Sequence, residues 1–460
     1  MRYAYTVTGL LRGTLAAVVL LAAAPLAQAQ GMMGQGTGEQ GIRPVIFVHG
    51  GSGSFQQIES QVLRFESNGY PPGYVDAVEY NSTAIQMILP DVLNRIDAKA
   101  AELKMKFGFD KVDLIGHSLG TTVSQAYLST PDRAANINSY VNVDGRTAMA
   151  LPGGVRTLAL FAGAARPVQG QIVGATNVTL PDQEHVQAVS SQEAFVEMFR
   201  FFTGQEPVNG GQIVPMEGPF PVSGRTAIFP QNTGVGPDAS VAVFALNPDN
   251  GQRTRTMMGM FNMPVAVLPV DLDGFFDSFQ AMPETPYEFQ LMRPTNLPHT
   301  FYLEPFLRAD STVRLLTGTG DAGIELLTER DPASSVFIIS RMKELRGDRG
   351  PEFDDVLSVN GINLANASTF PSGFVGAPVA ILAMDVRTDG VNNLASVPPA
   401  FNNIGFITAT DVFIPSSPFF LGVRIFTVPR GNTAMARMIN IRNTPSTAGA
   451  VSVQLLDFEQ

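Results

Sequence analysis

The sequence predicts two regions of different fold class, an α/β domain followed by an all-β region. Apolar strand-like runs alternate with amphipathic helix-like stretches up to about residue 204, which indicates a mostly parallel sheet covered by helices on both faces. Beyond that residue the chain becomes rich in Pro, Gly and Asn, and short alternating runs replace the helical periodicity. This change predicts an α/β domain over residues 43–206 and an all-β region over residues 207–460.

The residues before the α/β domain have the features of an export signal. Two basic residues, Arg2 and Arg12, precede an apolar stretch over residues 15–26, and Ala27-Gln28-Ala29 provides a cleavage site. The stretch is shorter than the roughly 20 apolar residues of a membrane-spanning helix. The sequence therefore predicts a signal peptide over residues 1–29, a flexible leader over residues 30–42, and a secreted or periplasmic protein with no membrane segment after cleavage.

The elements of the α/β domain follow from apolar periodicity. Six strands are predicted over residues 44–49, 75–80, 112–116, 140–143, 157–161 and 177–180. Helices are predicted where apolar residues recur at three- and four-residue spacing, over residues 57–68, 87–107, 119–130 and 190–202.

The all-β region is predicted to be a barrel or a sandwich, either as one body or as two subdomains split near residues 322–332. Its strands are predicted from short alternating runs bounded by turn residues, over residues 225–229, 240–246, 264–270, 287–291, 313–316, 336–340, 379–384, 420–426 and 451–456.

Composition excludes several classes of function. The 41 acidic residues against 30 basic ones argue against a nucleic-acid partner, which requires clustered Lys and Arg. The absence of cysteine excludes disulfides, thiol catalysis and cysteine metal sites. Residues 271–277 contain three Asp but lack the remaining acidic ligands of a calcium loop, so a hairpin turn is predicted there. We predict neither a metal nor a cofactor.

The most informative motif is Gly116-His117-Ser118-Leu119-Gly120, which directly follows a buried strand and precedes a helix. Strand, G-x-S-x-G and helix in this order form a sharp turn that lifts the serine above the edge of the sheet. A chance match to five common residues is the alternative, and the flanking strand and helix argue against it. Ser118 is therefore the predicted nucleophile.

A serine nucleophile needs a histidine to accept its proton, and the chain has four. His185 follows the last predicted strand of the α/β domain, and the base comes last in the chain order of such sites. The alternative for His185 is a solvated loop residue. His49 is suited to shaping a loop, His117 to packing or loop support, and His299 to a structural role in the all-β region.

The predicted acid is Asp144, directly after the strand over residues 140–143. Residues 157–177, the usual place for this acid, contain neither Asp nor Glu. The alternative reading of Asp144 is a turn residue before Gly145, and Asp182 is the second candidate for the acid. The backbone amides of Leu119 and Gly51 are the predicted donors to the oxyanion of a tetrahedral intermediate.

These motifs, together with His49-Gly50-Gly51, resemble those of secreted microbial lipases of the α/β-hydrolase superfamily, over about residues 43–204. More narrowly, Ser118, Asp144 and the segment leading to His185 look like an archaeal-type lipase, which carries a C-terminal β-barrel implicated in lipid binding. The resemblance supports Asp144 as the acid. It implies hydrolysis of apolar acyl esters, with residues after about Pro207 engaging a lipid or ester substrate at a lipid–water or polymer surface.

Little sequence lies between the predicted strands for a large helical lid. Residues 53–73 are one place for a short mobile cover, and without one the all-β region is expected to contribute apolar walls to the acyl pocket. A polyester depolymerase and a short-chain carboxylesterase use the same chemistry and are the alternatives among enzymes. The alternative from another class is an inactive surface protein that binds lipid or polymer, which the intact set of Ser, His and acid disfavours. No oligomeric state is predicted.

Overall fold

The N-terminal region folds around a parallel sheet of six strands, as predicted, and the strand order is β2-β1-β3-β4-β5-β6. In this computed structural model the described residues are 41–164, 170–254, 263–319, 326–345, 355–369, 377–402, 404–416, 422–429 and 436–456. The predicted signal peptide and all of the predicted leader except residues 41 and 42 lie outside them. The strands of the sheet are β1 Val45–Val48, β2 Val75–Val78, β3 Val112–His117, β4 Ile137–Val143, β5 Arg156–Ala162 and β6 Thr176–Leu180.

Helices cover both faces of this sheet, as the alternation of strands and helices predicts. The helices are α1 Glu59–Ser67, α2 Ile85–Phe107, α3 Leu119–Leu128, α4 Pro131–Ala134, α5 Gln187–Ser190 and α6 Gln192–Thr203. Successive side chains of a strand point to opposite faces, so Val45 and Phe47 of β1 join the core beneath α1 and α6. Ile46 and Val48 join the core beneath α2 and α3. Among the described residues, no helix is long and apolar enough to cross a bilayer.

The expected mobile cover over residues 53–73 is wrong. A 3₁₀ turn over Phe55–Ile58 leads into α1, and every α1 residue from Glu59 to Phe65 is buried. Val62 and Phe65 pack into the core of the parallel sheet, whereas Leu63 packs into the core of the all-β region. Because α1 lies between these two cores, it is fixed in place.

The described residues of the all-β region form three sheets. An eight-stranded sheet has the order β10-β9-β12-β13-β22-β15-β18-β19, and two four-stranded sheets contain β11-β7-β14 with β8 beside β7, and β17-β16-β20-β21. The strands are β7 Phe220–Ile228, β8 Thr233–Gly234, β9 Ser240–Ala245, β10 Ala266–Pro269, β11 Phe275–Ala281, β12 Tyr287–Met292, β13 His299–Leu303, β14 Asp310–Thr317, β15 Phe337–Ser340, β16 Val356–Val359, β17 Ile362–Asn363, β18 Ala380–Met384, β19 Ile407–Asp411, β20 Gly422–Val428, β21 Arg437–Arg442 and β22 Ala450–Gln454.

The eight-stranded sheet takes strands from both sides of residues 322–332. Its centre is the parallel pairing of β13 with β22, in which Phe301 lies opposite Ser452. The described residues of the all-β region are thus tied together by backbone hydrogen bonds across the predicted split. The split itself, and the boundary at residues 206 and 207, stay predictions.

Candidate active site

Ser118 lies on the turn between β3 and α3, in a strained backbone conformation with φ 52° and ψ −121°. Both flanking glycines are required by close contacts. A Cβ at Gly116 would lie 2.6 Å from Ser124 Oγ, and one at Gly120 would lie 2.1 Å from the carbonyl oxygen of Val48. The turn leaves Ser118 partly exposed, although β3 before it is buried. This is the geometry that the motif predicts for a serine nucleophile.

The structure brings Ser118, His185 and Asp144 together in one chain of hydrogen bonds. Nε2 of His185 lies 2.8 Å from Ser118 Oγ, and Nδ1 lies 2.5 Å from Asp144 Oδ2. A carboxylate accepts, so Nδ1 carries the hydrogen and Nε2 is left to accept the proton of the serine hydroxyl. The arrangement can therefore activate Ser118 for attack on an acyl carbon.

Parallel strands explain why residues far apart in sequence meet here. Ser118 follows β3, Asp144 follows β4, and His185 lies in the loop after β6, so all three stand at the carboxyl edge of the same sheet. Asp144 is fully buried, and its Oδ1 accepts a hydrogen bond of 3.0 Å from the amide of Ala162 at the end of β5. The carboxylate of Asp144 is thus oriented by β5, the strand between β4 and β6.

Asp182 is the second candidate for the acid. Its side chain is exposed, whereas the imidazole of His185 is buried and directs Nδ1 toward Asp144. The order of strands, rather than closeness in sequence to His185, identifies the residue that contacts the imidazole.

The other three histidines are buried and engaged in other contacts. Nε2 of His117 lies 3.0 Å from the backbone oxygen of His185, and burial first and the charge of His185 second lower the pKa of His117 to about 3. A neutral His117 can donate to that oxygen and so supports the backbone of His185. His49 stacks on Tyr80 at 4.2 Å between ring centroids, and His299 lies within hydrogen-bond distance of two hydroxyl groups of the all-β region.

The predicted oxyanion donors belong to the residue after Ser118 and to the loop after β1. Leu119 is the first residue of α3, and Gly51 lies in the loop after β1. That loop approaches the nucleophile closely, because a Cβ at Gly50 would lie 2.9 Å from Cβ of Ser118. A Cβ at Gly51 would meet no atom within 4 Å, so there is open space beside this residue.

Two residues of the all-β region reach the site and were not predicted. The carboxylate of Glu344 accepts hydrogen bonds from the amides of Val186 and Gln187, directly after His185. The ring of Phe406 stacks against the ring of His185, with 6.3 Å between centroids and 26° between planes. Glu344 is 158 residues from Val186, and neither residue lies in a motif, so no local signal in the sequence points to them.

Matches to known families divide the chain into successive segments. Residues 42–146 match the model for class 2 lipases, residues 218–319 match the model for the lipase C-terminal domain, and residues 323–459 match a further model for a C-terminal domain. The first match contains Ser118 and Asp144 but ends before His185. No curated protein matches the chain in sequence.

Two solved structures are similar to the chain at low identity. One is Bacillus licheniformis lipase BlEst2 in its propeptide form, with 12% identity, a TM-score of 0.26, and coverage of 88% of this chain and 93% of that one. The other is phospholipase PlaB from Legionella pneumophila in complex with thio-NAD, with 11% identity, a TM-score of 0.22, and coverage of 90% and 93%. The two lipase family models match successive segments of the chain, one in the α/β region and one in the all-β region. Together they identify the chain as an ester hydrolase of the lipase type with a lipase C-terminal domain.

Proposed function

We propose that the protein hydrolyses carboxylic esters with apolar acyl chains through a catalytic triad of Ser118, His185 and Asp144. The observation that carries this proposal is the continuous chain of hydrogen bonds from Ser118 Oγ through the imidazole to Asp144 Oδ2. Serine, acid and base also follow one another along the chain in the order that α/β hydrolases use.

The reaction proceeds through an acyl-enzyme. Ser118 Oγ attacks the carbonyl carbon of the ester as its proton passes to Nε2 of His185, and the carbonyl oxygen becomes an oxyanion near the amides of Leu119 and Gly51. Collapse of this intermediate breaks the bond to the alcohol, which leaves with the proton from His185. A water molecule then attacks the acyl-enzyme with His185 again as base, which releases the carboxylic acid and restores Ser118.

Asp144 acts through the imidazole and remains ionised throughout. It fixes the tautomer that leaves Nε2 free to accept a proton, and its charge stabilises the imidazolium that forms in each half-reaction. Its burial strengthens this electrostatic effect, because few water molecules screen the pair.

The substrate is an apolar acyl ester, met at a lipid–water or polymer surface outside the cytoplasm. The lipase family matches support the class of substrate, and the basic start, apolar stretch and Ala27-Gln28-Ala29 of the sequence support export. The chemistry of the proposed triad requires no cofactor.

Hydrolysis of p-nitrophenyl esters from acetate to long acyl chains, by the wild type and by Ser118→Ala, tests the proposal. We expect serine-dependent hydrolysis with the highest rate at medium or long chains. A maximum at acetate would instead identify a short-chain carboxylesterase, and turnover of solid polyester above that of soluble esters would identify a depolymerase. Activity that persists in Ser118→Ala, or a wild type that hydrolyses no ester, would contradict the proposal; the second result would favour an inactive binding protein.

A further inference from the structure

Glu344 forms a buried contact between the all-β region and the segment that carries His185. Its Oε1 accepts a hydrogen bond of 2.5 Å from the amide of Val186, and its Oε2 accepts one of 3.0 Å from the amide of Gln187. The side chains of Glu344, His185, Val186 and Gln187 are all buried. A carboxylate that uses one oxygen for each of two successive amides fixes the backbone directly after the imidazole.

The segment that carries Glu344 is itself anchored to the eight-stranded sheet. The amide of Leu345 donates to the oxygen of Pro378 at 2.7 Å, and the amide of Arg341 donates to the oxygen of Val379 at 3.1 Å, just before β18. The backbone oxygen of Met342 also accepts a hydrogen bond of 2.7 Å from Ser190 Oγ, at the end of α5. A short piece of the all-β region is therefore held rigidly on one side and bound to residues 186–190 on the other.

The same edge of the sheet presents Phe406 to the imidazole. The backbone oxygen of Phe406 accepts a hydrogen bond of 2.8 Å from the amide of Val379, and its ring stacks on the ring of His185. Phe406 has a left-handed backbone with φ 67°, a conformation that only the surrounding structure can hold for such a side chain. The all-β region thus contacts His185 both at its ring and at the backbone that follows it.

We propose that Glu344 is a positioning residue for His185, so that the all-β region completes the active site. The proposal rests on the function proposed above, because it assigns Glu344 a role through the base of that triad. The carboxylate holds the imidazole at the distance and angle that proton transfer requires, and its negative charge favours the imidazolium formed in the reaction.

The electrostatic part of this role involves a small set of groups. Within the described residues, Asp144 and His117 contact His185, Glu344 binds the backbone that follows it, and Glu184 adjoins it in the chain. Burial raises the pKa of Glu344, whereas the amide of Val186, the charge of His185 and the amide of Gln187 act to lower it. Removing the charge of Glu344 takes away a negative neighbour that stabilises the protonated imidazole.

The test compares Glu344→Gln with the control Asp385→Asn in the full-length protein. Gln keeps the volume of Glu344 but removes the charge and turns an amide group toward a backbone N–H. Asp385 is also buried, accepts a hydrogen bond of 3.0 Å from the amide of Gly390, and lies at the opposite end of β18 from Val379. kcat and KM are measured on p-nitrophenyl butyrate across pH, with thermal unfolding as the check of the fold.

We expect kcat of Glu344→Gln to fall about tenfold with KM little changed, because misplacing the base costs rate rather than binding. The acid limb of kcat/KM is expected to move toward lower pH, because the protonated imidazole loses a negative neighbour. The variant Glu344→Asp keeps the charge on a shorter side chain, so its acid limb should return toward the wild-type position while kcat stays low. This second variant also carries the test if Glu344→Gln does not fold. Asp385→Asn should keep the wild-type kcat and pH profile.

A Glu344→Gln variant with wild-type kcat and acid limb would overturn the proposal. So would equal losses of kcat in Glu344→Gln and Asp385→Asn without movement of the acid limb, because a merely structural role predicts that result. Ser118→Ala, measured alongside, distinguishes failure of the proposed triad from failure of the role proposed for Glu344. If it remains active, the triad itself is wrong; if it is inactive while Glu344→Gln matches the wild type, only the role of Glu344 is wrong.

Discussion

Ser118 and Asp144 both have positive φ, at 52° and 38°. Such conformations cost roughly 1–3 kcal/mol each for residues other than glycine, and they persist where the surrounding structure fixes them. At Ser118 the fixed surroundings are β3, α3 and the close approach of Gly120 to β1. At Asp144 the backbone amide donates to the oxygen of Leu160 at 2.8 Å. The strain therefore falls on two of the three residues proposed to act in catalysis.

The acid of the triad can be tested by a pair of matched substitutions. Asp144→Asn keeps the shape of the side chain but can stabilise the wrong tautomer of His185, so we expect kcat to fall by about four orders of magnitude without loss of the fold. Asp182→Asn changes an exposed side chain and should have little effect. Steady-state kinetics with circular dichroism as the check of folding measures both. The reverse ranking would refute Asp144 as the acid.

The glycines around Ser118 are predicted to differ sharply in their tolerance of a side chain. Ala at position 120 would bring Cβ to 2.1 Å from a backbone oxygen, so we expect Gly120→Ala to lose at least about 3 kcal/mol of the free energy of unfolding. Ala at position 51 meets open space, so Gly51→Ala should change the free energy of unfolding by no more than about 0.5 kcal/mol. Urea unfolding measures the two; equal stabilities would show that the turn can relax.

Motif and chain order were sufficient to predict Ser118, Asp144 and His185 as residues that meet. Each follows a strand of one parallel sheet, so their positions depend on a rule that the sequence displays directly. Glu344 and Phe406 could not be predicted in this way. Both reach His185 because distant strands of the all-β region pack against the α/β region, and single-sequence periodicity contains no information on that packing.

Strand β2 is joined to two strands of the all-β region by Glu79, the residue directly after it. It lies 2.9 Å from the guanidinium of Arg225 in β7 and 3.0 Å from that of Arg314 in β14, and it also accepts a hydrogen bond from the amide of Phe55. Burial acts to raise the pKa of Glu79, but the charge and hydrogen bonding of Arg314, and then the charge of Arg225, lower it to about 2. The carboxylate is therefore ionised in the folded protein over almost the whole acid range.

The linkage between this pKa and stability gives a prediction for Glu79→Gln. The folded pKa of about 2 lies below the ordinary value of 4.5, so Glu79 contributes stability above about pH 4.5 and loses it as the pH falls toward 2. Removing the charge leaves the buried guanidinium groups of Arg225 and Arg314 without their negative partner. We therefore expect the free energy of unfolding to fall by about 3 kcal/mol at neutral pH. The difference from the wild type should shrink at about pH 3. Urea unfolding at the two pH values measures it, and a difference independent of pH would contradict the assignment.

Several strands of the all-β region were not predicted, and β11 shows the reason. A register shift between Phe276 and Phe279 in its pairing with β7 interrupts the alternation of buried and exposed side chains. The strand β19 was missed for another reason: its buried positions include Thr408 and Thr410, so it lacks a strongly apolar face. The strands that were predicted, such as β9 and β18, are continuous apolar runs.

At the scale of the whole molecule, the α/β region and the all-β region share both core and site. Leu63 of α1 lies in the core of the all-β region, and Glu344 of the all-β region binds the segment after His185. The composition change near residue 204 predicted that an all-β region follows the α/β region, because helical and strand periodicities are local. The pairing of β13 with β22 joins segments about 150 residues apart, which no local pattern reveals.

Covalent labelling is the sharpest test of Ser118 as the nucleophile of an acyl-transfer site. A fluorophosphonate should react with the folded wild-type protein at Ser118 Oγ, with loss of fluoride, and mass spectrometry of the digested protein should locate the adduct on the peptide that contains Ser118. We predict one adduct per chain, none in Ser118→Ala, and much slower labelling in His185→Ala. A wild-type protein that stays unlabelled, or an adduct on another serine, would contradict the account.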